Sequence, residues 1–206
     1  MKLGIIGAGN IGATAARLFA EAGHEVVISN SRGPETLSDV VQEIGGRAQA
    51  VTIEGAADFG EVVLEAIPFG RYEDLPADRL AGKIVIDASN YYPGRDGNID
   101  LEGLTSTGLL ARHLAESRVV KAFNTMFYGT LASEGRTDIP VEDRLVLFLA
   151  GDDAEAKNIV ADLIEQIGFA PVDTGSLHDS GKQEPGAPVY NTPMTPHRAR
   201  EMLASY

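Results

Sequence analysis

The feature that most constrains the fold of this chain is a Gly-x-Gly-x-x-Gly run near its N-terminus. The run is Gly7-Ala8-Gly9-Asn10-Ile11-Gly12, and it joins a β-branched segment at residues 2–7 to an amphipathic stretch at residues 10–22. A second β-branched segment follows at residues 25–29. A strand, a glycine turn, a helix and a second strand at this spacing predict a βαβ unit that opens a parallel sheet.

Each glycine of this turn has its own predicted role in binding a dinucleotide. Gly7 permits the tight turn, Gly9 lets the backbone approach a pyrophosphate, and Gly12 lets the helix pack closely on the strand. Asn10 and Ile11 open the helix, whose first N–H groups and positive dipole end favour an anion. A turn with a purely structural role is the alternative, but the flanking strands and helix favour binding.

The end of the second strand predicts which dinucleotide binds. An NAD site usually places Asp or Glu here to hold the ribose 2′-hydroxyl, whereas this chain reads Asn30-Ser31-Arg32. A hydroxyl and a guanidinium would hold a 2′-phosphate, which a carboxylate would repel. We therefore predict that Ser31 and Arg32, with Asn30 alongside, bind the 2′-phosphate of NADP(H). The alternative is a polar loop with an incidental arginine.

The rest of the chain alternates short apolar strands with amphipathic helices, which is typical of a parallel sheet covered by helices. Further strands are predicted at residues 48–53, 61–67, 83–89, 118–123, 145–150 and 170–173, and further helices at residues 35–44, 108–116, 154–167 and 197–203. The predicted fold class is α/β, with a Rossmann-type, doubly wound, mostly parallel sheet of about eight strands. Residues 1–177 are predicted to form the NADP-binding domain. Residues 178–206 are predicted to form a short irregular tail that packs on the domain or on a second subunit.

The charge and cysteine content of the chain exclude several classes of binding partner and of chemistry. The 206 residues include 30 Asp and Glu against 17 Lys and Arg, which gives a formal net charge of −13. Such a surface repels nucleic acid and anionic membranes, so we expect neither as a partner. No signal peptide is expected, and no apolar run approaches the roughly 20 residues of a membrane helix. The absence of cysteine excludes disulfides and thiolate chemistry, and these features together predict a cytoplasmic protein.

Six motifs, taken in order, extend this interpretation. They are GAGNIG at residues 7–12, NSR at 30–32, IP at 67–68, DASN at 87–90, KAFNTM at 121–126 and AGDDAEAK at 150–157. With them, residues 1–177 resemble the deazaflavin (coenzyme F-420)-dependent NADP oxidoreductase family, and they are also similar to the N-terminal domains of the STEAP metalloreductases.

The resemblance implies an NADPH-dependent enzyme that transfers a hydride directly between NADP(H) and a small-molecule acceptor, either flavin-like or a deazaflavin. Such a transfer requires two flat rings to be bound face to face, so no acid–base residue is implied. The four histidines, at positions 24, 113, 178 and 197, form no metal-ligand pattern. We therefore predict neither a metal site nor a catalytic side chain.

The resemblance also implies site residues at three strand ends. Ile67 and Pro68 would line the NADP ribose and nicotinamide, and Ser89 and Asn90 would lie nearby. The acceptor side would be walled by three residues after the sixth strand: Asn124, Thr125 and Met126. Structural alternatives stay open, because Pro68 could simply end a strand, Asn90 could cap a turn and Met126 could pack in the core.

Two charged residues, Glu65 and Lys121, fall within predicted strands. An unpaired buried charge costs several kcal/mol or is neutralised by a shifted pKa. One hypothesis is that each lies at a strand end or pairs with a neighbour. The other is that Lys121 supports the acceptor site.

Two further functions remain as alternatives. A non-catalytic NADP(H)-sensing or interaction module would keep the glycine turn and Ser31-Arg32 but close the acceptor crevice, and residues 178–196 could close it. A relative of the pyrroline-carboxylate or 3-hydroxyacid dehydrogenases would need a helical domain after the last strand, for which only about 30 residues remain. The proline-bearing tail also suggests a homodimer, since an extended segment often needs a surface on which to lie.

Overall fold

A computed structural model of the chain describes residues 1–45 and 48–205, so Tyr206 at the end of the tail lies outside the described residues. An eight-stranded sheet has the order β3-β2-β1-β4-β5-β6-β7-β8. All neighbouring strands pair in parallel except β6 and β7, which are antiparallel. The strands are β1 (Lys2–Ile6), β2 (Glu25–Ser29), β3 (Ala48–Ala50), β4 (Val62–Glu65), β5 (Ile84–Asp87), β6 (Arg118–Ala122), β7 (Val146–Gly151) and β8 (Ala170–Asp173).

Helices cover both faces of this sheet. They are α1 (Asn10–Glu21), α2 (Ser38–Ile44), α3 (Ile53–Phe59), α4 (Ala77–Leu80), α5 (Pro93–Asp96), α6 (Ser106–His113), α7 (Tyr128–Ser133), α8 (Ala154–Gln166) and α9 (Pro196–Ala204). One apolar core lies between the sheet and α1, α2, α7 and α8, and a second lies between the sheet and α3, α4 and α6. This two-layered covering of a mostly parallel sheet confirms the predicted Rossmann-type α/β fold.

The tail contributes a third, smaller core. Val189, Met194 and Ala199 pack against Phe148 of β7 and Val172 of β8. The tail also contains a 3₁₀ helix, His178–Gln183, which the sequence pattern did not predict. Predicted helix 197–203 corresponds to α9.

The prediction was wrong between β3 and β4. Residues 51–53 were predicted to extend the third strand, but β3 ends at Ala50 and α3 follows, a helix that was not predicted at all. Thr52 is the cause, since its Oγ1 accepts a hydrogen bond from the backbone N–H of Gly55 at 3.1 Å and so caps the first turn of α3. A local helix cap thus outweighed the β propensity of the sequence Val51-Thr52-Ile53.

The topology gathers the carboxyl ends of six parallel strands, β1 to β6, at one edge of the sheet. β1 lies between β2 and β4, so the chain crosses from one side of β1 to the other after β3. Ligands of open α/β sheets bind in the crevice outside the carboxyl ends at such a switch point. Within the described residues, no helix is long and apolar enough to cross a membrane.

Candidate functional site

The glycine turn lies at the carboxyl end of β1, at this switch point. Gly7 has a φ of +110°, a conformation that side chains disfavour. A Cβ atom on Gly12 would lie 1.8 Å from the carbonyl oxygen of Gly7, so only glycine lets α1 pack this closely on the turn. A Cβ atom on Gly9 would meet nothing within 4 Å. The surroundings of Gly9 are therefore open, whereas those of Gly12 are filled by the protein itself.

The N-terminus of α1 faces this open space. Gly9 is the N-cap residue, and no side chain among the described residues caps the helix. Gly9 and Asn10 are both exposed. Uncapped N–H groups and the positive end of the helix dipole together favour an anion here.

The turn after β2 is held by Asn30. Its Oδ1 accepts a hydrogen bond from the backbone N–H of Arg32 at 2.9 Å, and its Nδ2 donates to Thr36 Oγ1 at 2.9 Å. Asn30 therefore shapes the loop, while Ser31 and Arg32 are exposed. Neither of those two side chains has a hydrogen-bond or ion-pair partner in the part of the chain that the structure describes.

These segments enclose one cleft of about 290 Å³, which we call the glycine-turn cleft. The predicted residues Ile67 and Pro68 line it together with Gly7, Gly9, Asn30, Ser31 and Arg32. Besides Ile6, which precedes the glycine turn, five further positions were not singled out from the sequence. They are Ile53, Ala66, Arg71, Asp74 and Leu75.

Other predicted residues lie beside this cleft and do not line it. Asn90 and Asn124, which follow β5 and β6, form a reciprocal pair: Asn90 Nδ2 donates to the Asn124 carbonyl oxygen at 3.0 Å, and Asn124 Nδ2 donates to Asn90 Oδ1 at 3.0 Å. Asn124 Nδ2 also donates to the carbonyl oxygen of Gln183 in the tail at 2.8 Å. We call these three residues the amide network.

A strained backbone precedes this network. Phe123 has a φ of +66° and is fully buried, with its ring packed edge-on against Phe19 at 5.8 Å between centroids. A left-handed conformation is unfavourable for an aromatic residue and is found preferentially at functional sites. Here it turns the chain sharply between β6 and Asn124.

The tail covers the predicted acceptor side. The backbone N–H of Asn191 donates to the carbonyl oxygen of Thr125 at 2.8 Å. The hydroxyl of Tyr190 in the tail is hydrogen-bonded to the hydroxyl of Tyr92. Asn124, Thr125 and Met126 are consequently buried, while Asn90 stays half-buried. Thr125 and Met126 line a separate small cavity of about 90 Å³ next to the tail. The structure thus places the predicted acceptor residues apart from the glycine-turn cleft.

Behind the amide network lies a buried charge cluster of Glu65, Asp87 and Lys121, all fully buried. The three residues end or nearly end β4, β5 and β6 and are direct neighbours in the strand register. Lys121 Nζ donates to Asp87 Oδ2 at 3.1 Å and to the Ser89 carbonyl oxygen at 2.5 Å. Ser89 in turn donates its N–H and Oγ–H to Asp87 Oδ1, at 2.9 and 2.6 Å. Of the two hypotheses for Lys121, these contacts support the one in which it pairs with a neighbour.

The two carboxyl groups of the cluster have opposite pKa shifts. Burial, and then the neighbouring Asp87 carboxylate, raise the pKa of Glu65 well above its usual range. Burial alone would also raise the pKa of Asp87, but the Lys121 charge and hydrogen bonds from its neighbours outweigh burial and lower the pKa to about 2. These shifts favour the protonated form of Glu65 and the ionised form of Asp87, with which Lys121 pairs.

Known proteins resemble the chain over nearly its whole length. The hypothetical protein SMa0349 from Sinorhizobium meliloti has a solved structure that matches with a TM-score of 0.83 at 36% identity, over 95% of each chain. A candidate F420-dependent NADP-reductase from Arthrobacter sp. FB24 matches with a TM-score of 0.72 at 25% identity, over 100% of this chain and 90% of that one. Metalloreductase STEAP3 of Rattus norvegicus is 32% identical over 185 residues, which are 89% of this chain. The chain spans 36% of the length of STEAP3.

The sheet order and the glycine turn at its switch point define a Rossmann-type protein of the dinucleotide-binding class. The family described as NADP oxidoreductase coenzyme F420-dependent matches residues 2–91. Together with the relatives above, this match shows that the chain resembles the coenzyme F420-dependent NADP oxidoreductase family. The family resemblance inferred from six short motifs is thereby confirmed.

Proposed function

We propose that the chain binds NADP(H) in the glycine-turn cleft and transfers a hydride between it and a flavin-like or deazaflavin acceptor. The observation that carries the proposal is that free anion-binding groups converge on one cleft. These are the N-terminus of α1 beside Gly9 and the side chains of Ser31 and Arg32, none of which has a side-chain cap or partner within residues 1–45 and 48–205. A chain with a net charge of −13 attracts a phosphate-rich ligand only through such a local site.

The residues fit the cofactor in order along the cleft. Gly9 leaves room for a pyrophosphate against the N–H groups of α1, which Asn10 and Ile11 begin. Ser31 and Arg32 supply a hydroxyl and a guanidinium to the 2′-phosphate, on a loop that Asn30 holds. The apolar side chains of Ile67 and Pro68 would contact the ribose and nicotinamide.

Bound NADPH would supply a hydride, which is a proton with two electrons, and the acceptor would be reduced as NADPH is oxidised. The chain's own part is to position the two rings and exclude water. The amide network fixes the ends of β5 and β6 by three hydrogen bonds of 2.8–3.0 Å. Because a direct hydride transfer needs no proton relay, no acid–base residue is assigned.

One observation favours a second candidate, a non-catalytic NADP(H)-sensing module. The tail covers Asn124, Thr125 and Met126 through Gln183 and Asn191. If that covering is permanent, an acceptor ring cannot reach the nicotinamide from this side. The tail would then signal the presence of bound cofactor to a partner protein, for instance a second subunit.

An acceptor screen separates the two candidates. NADPH oxidation would be followed by absorbance at near-neutral pH with FMN, FAD, a deazaflavin and a ferric chelate offered separately, while NADPH binding is measured by fluorescence titration. Turnover with at least one acceptor supports the reductase. Tight binding of NADPH with no turnover on any of the four supports the sensing module. Failure to bind NADPH would reject both.

A further inference from the structure

The glycine-turn cleft contains a second guanidinium, that of Arg71. Arg71 lies in the 3₁₀ helix Phe69–Asp74, which begins directly after Pro68, and it lines the cleft together with Arg32. Its side chain is 59% exposed, so the charge is accessible to a ligand. Arg32 and Arg71 come from loops after two different strands, β2 and β4, that flank β1.

The charges that line this cleft are few. Of the described residues around it, Arg32 and Arg71 are the cations and Asp74 is the acid. The adenosine 2′-phosphate is a monoester that carries between one and two negative charges near neutral pH. In a chain with 13 more acidic than basic side chains, a second cation at this place changes the local potential substantially.

Asp74 leaves the terminal nitrogens of Arg71 available. Arg71 Nε donates to Asp74 Oδ2, and among the described residues the two terminal nitrogens make no hydrogen bond. Both side chains are exposed, Arg71 at 59% and Asp74 at 48%, so their ion pair contributes little to the free energy of unfolding. Its geometric effect is to hold the guanidinium at Nε, so that the terminal N–H groups, which have no partner among the described residues, can donate to two oxygens of a phosphate.

We propose that Arg71 is a second ligand of the adenosine 2′-phosphate, oriented by Asp74, and that with Arg32 it sets the preference for NADPH over NADH. The inference rests on the proposed NADP(H) function, and it adds a residue that lies 39 positions beyond Arg32 in the sequence. The phosphate is then held by two guanidiniums from opposite flanks of β1. An arginine pair of this kind discriminates by charge, because NADH offers only a hydroxyl at the same position.

The test is Arg71→Gln, with Arg79→Gln as the matched control. Arg79 makes a comparable exposed ion pair with Asp58, but it lies outside the cleft. Dissociation constants would be measured for NADPH and NADH by fluorescence, and for 2′,5′-ADP and 5′-AMP by competition, at low ionic strength. Arg71→Gln should weaken NADPH and 2′,5′-ADP by about tenfold, the usual size of a lost charge-assisted hydrogen bond. Binding of NADH and 5′-AMP should change less than about twofold.

Two outcomes would overturn the inference and leave the proposed function standing. Equal losses for NADPH and NADH would mean that Arg71 contacts the adenine or packs the cleft wall. Unchanged NADPH affinity in Arg71→Gln, with a loss in Arg32→Gln, would leave Arg71 as a surface residue only. If the unmodified protein bound neither NADPH nor 2′,5′-ADP, the proposed function itself would fail, and the inference with it.

Discussion

Arg32 and Lys121 both lie near the carboxyl edge of the same sheet, yet their charges are used in opposite ways. Arg32 is exposed and has no side-chain partner among the described residues. Lys121 is fully buried, and its ammonium group donates to Asp87 and to the Ser89 carbonyl oxygen. The guanidinium of Arg32 is available to a ligand, whereas the ammonium group of Lys121 is paired with a carboxylate inside the protein.

The same contrast holds for the two regions around them. The glycine-turn cleft includes the N-terminus of α1 and the exposed side chains of Ser31 and Arg32, which have no hydrogen-bond partner among the described residues. The predicted acceptor side contains buried polar groups that form hydrogen bonds with each other and with the tail. We infer that the cleft is organised for a ligand that arrives from solvent. The predicted acceptor side is linked by internal hydrogen bonds. Substitutions at Lys121, at two glycines of the turn and at Glu65 can break or sharpen this comparison.

The largest effect is expected from Lys121→Met. It leaves the Asp87 carboxylate buried without its charge partner, and breaking such a pair typically costs about 3–5 kcal/mol in the free energy of unfolding. Lys157→Met is the control, because Lys157 pairs with Asp173, whose side chain is 51% exposed. That change should cost no more than about 1 kcal/mol. Denaturant titration of both variants provides the measurement.

The double variant Lys121→Met/Asp87→Asn sharpens this prediction. Once Asp87 carries no charge, the loss of Lys121 should destabilise the protein far less, so part of the stability should return. Similar losses of unfolding free energy in Lys121→Met and Lys157→Met would show that burial does not distinguish the two lysines. The description of Lys121 as a buried structural cation, in contrast to Arg32, would then be wrong.

The next largest effects are expected at two glycines of the turn, Gly12 and Gly9, whose surroundings differ. Gly12→Ala places a Cβ atom against the Gly7 carbonyl oxygen, so it should lower the free energy of unfolding by about 1–3 kcal/mol. Gly9→Ala meets nothing in the protein, and stability should be nearly unchanged. NADPH affinity should nevertheless fall by about tenfold or more in Gly9→Ala, because the new methyl group occupies the space assigned to the pyrophosphate. Normal NADPH binding by folded Gly9→Ala would contradict that assignment.

Sequence patterns predicted the glycine-turn cleft better than the acceptor side for a physical reason. The functions of Gly7, Gly9 and Gly12 depend on local backbone geometry, which a short motif specifies. Arg71 joins the same cleft only through the packing of β1, β2 and β4, so no local pattern reveals it. The failure to predict α3 has a different, local origin, since a single cap at Thr52 outweighed a β-branched run.

Strand register limited the prediction on the other side. The sequence indicates that Asp87 and Lys121 lie in strands, but their contact requires β5 and β6 to pair with these two residues side by side. Parallel strands separated by 34 residues leave that register undetermined in the sequence. Gln183 lies in a tail without hydrophobic periodicity, so its hydrogen bond with Asn124 could not be anticipated.

The smallest effect is expected from Glu65→Gln, measured as a function of pH. The raised pKa of Glu65 means that the folded state keeps a proton that the unfolded state releases, so this group lowers stability as pH rises above the usual range of a glutamic acid. Glutamine cannot ionise, and its amide oxygen can still accept the 3.2 Å hydrogen bond from the Ile67 N–H. The free energy of unfolding of the variant should therefore exceed that of the unmodified protein increasingly as pH rises above the usual range of a glutamic acid, and the difference should shrink towards about pH 4. Glu54→Gln, at an exposed position in α3, should give no such pH-dependent gain. Parallel stability curves for Glu65→Gln and the unmodified protein would mean that Glu65 keeps its charge in the fold, and that the acceptor side holds an unneutralised carboxylate.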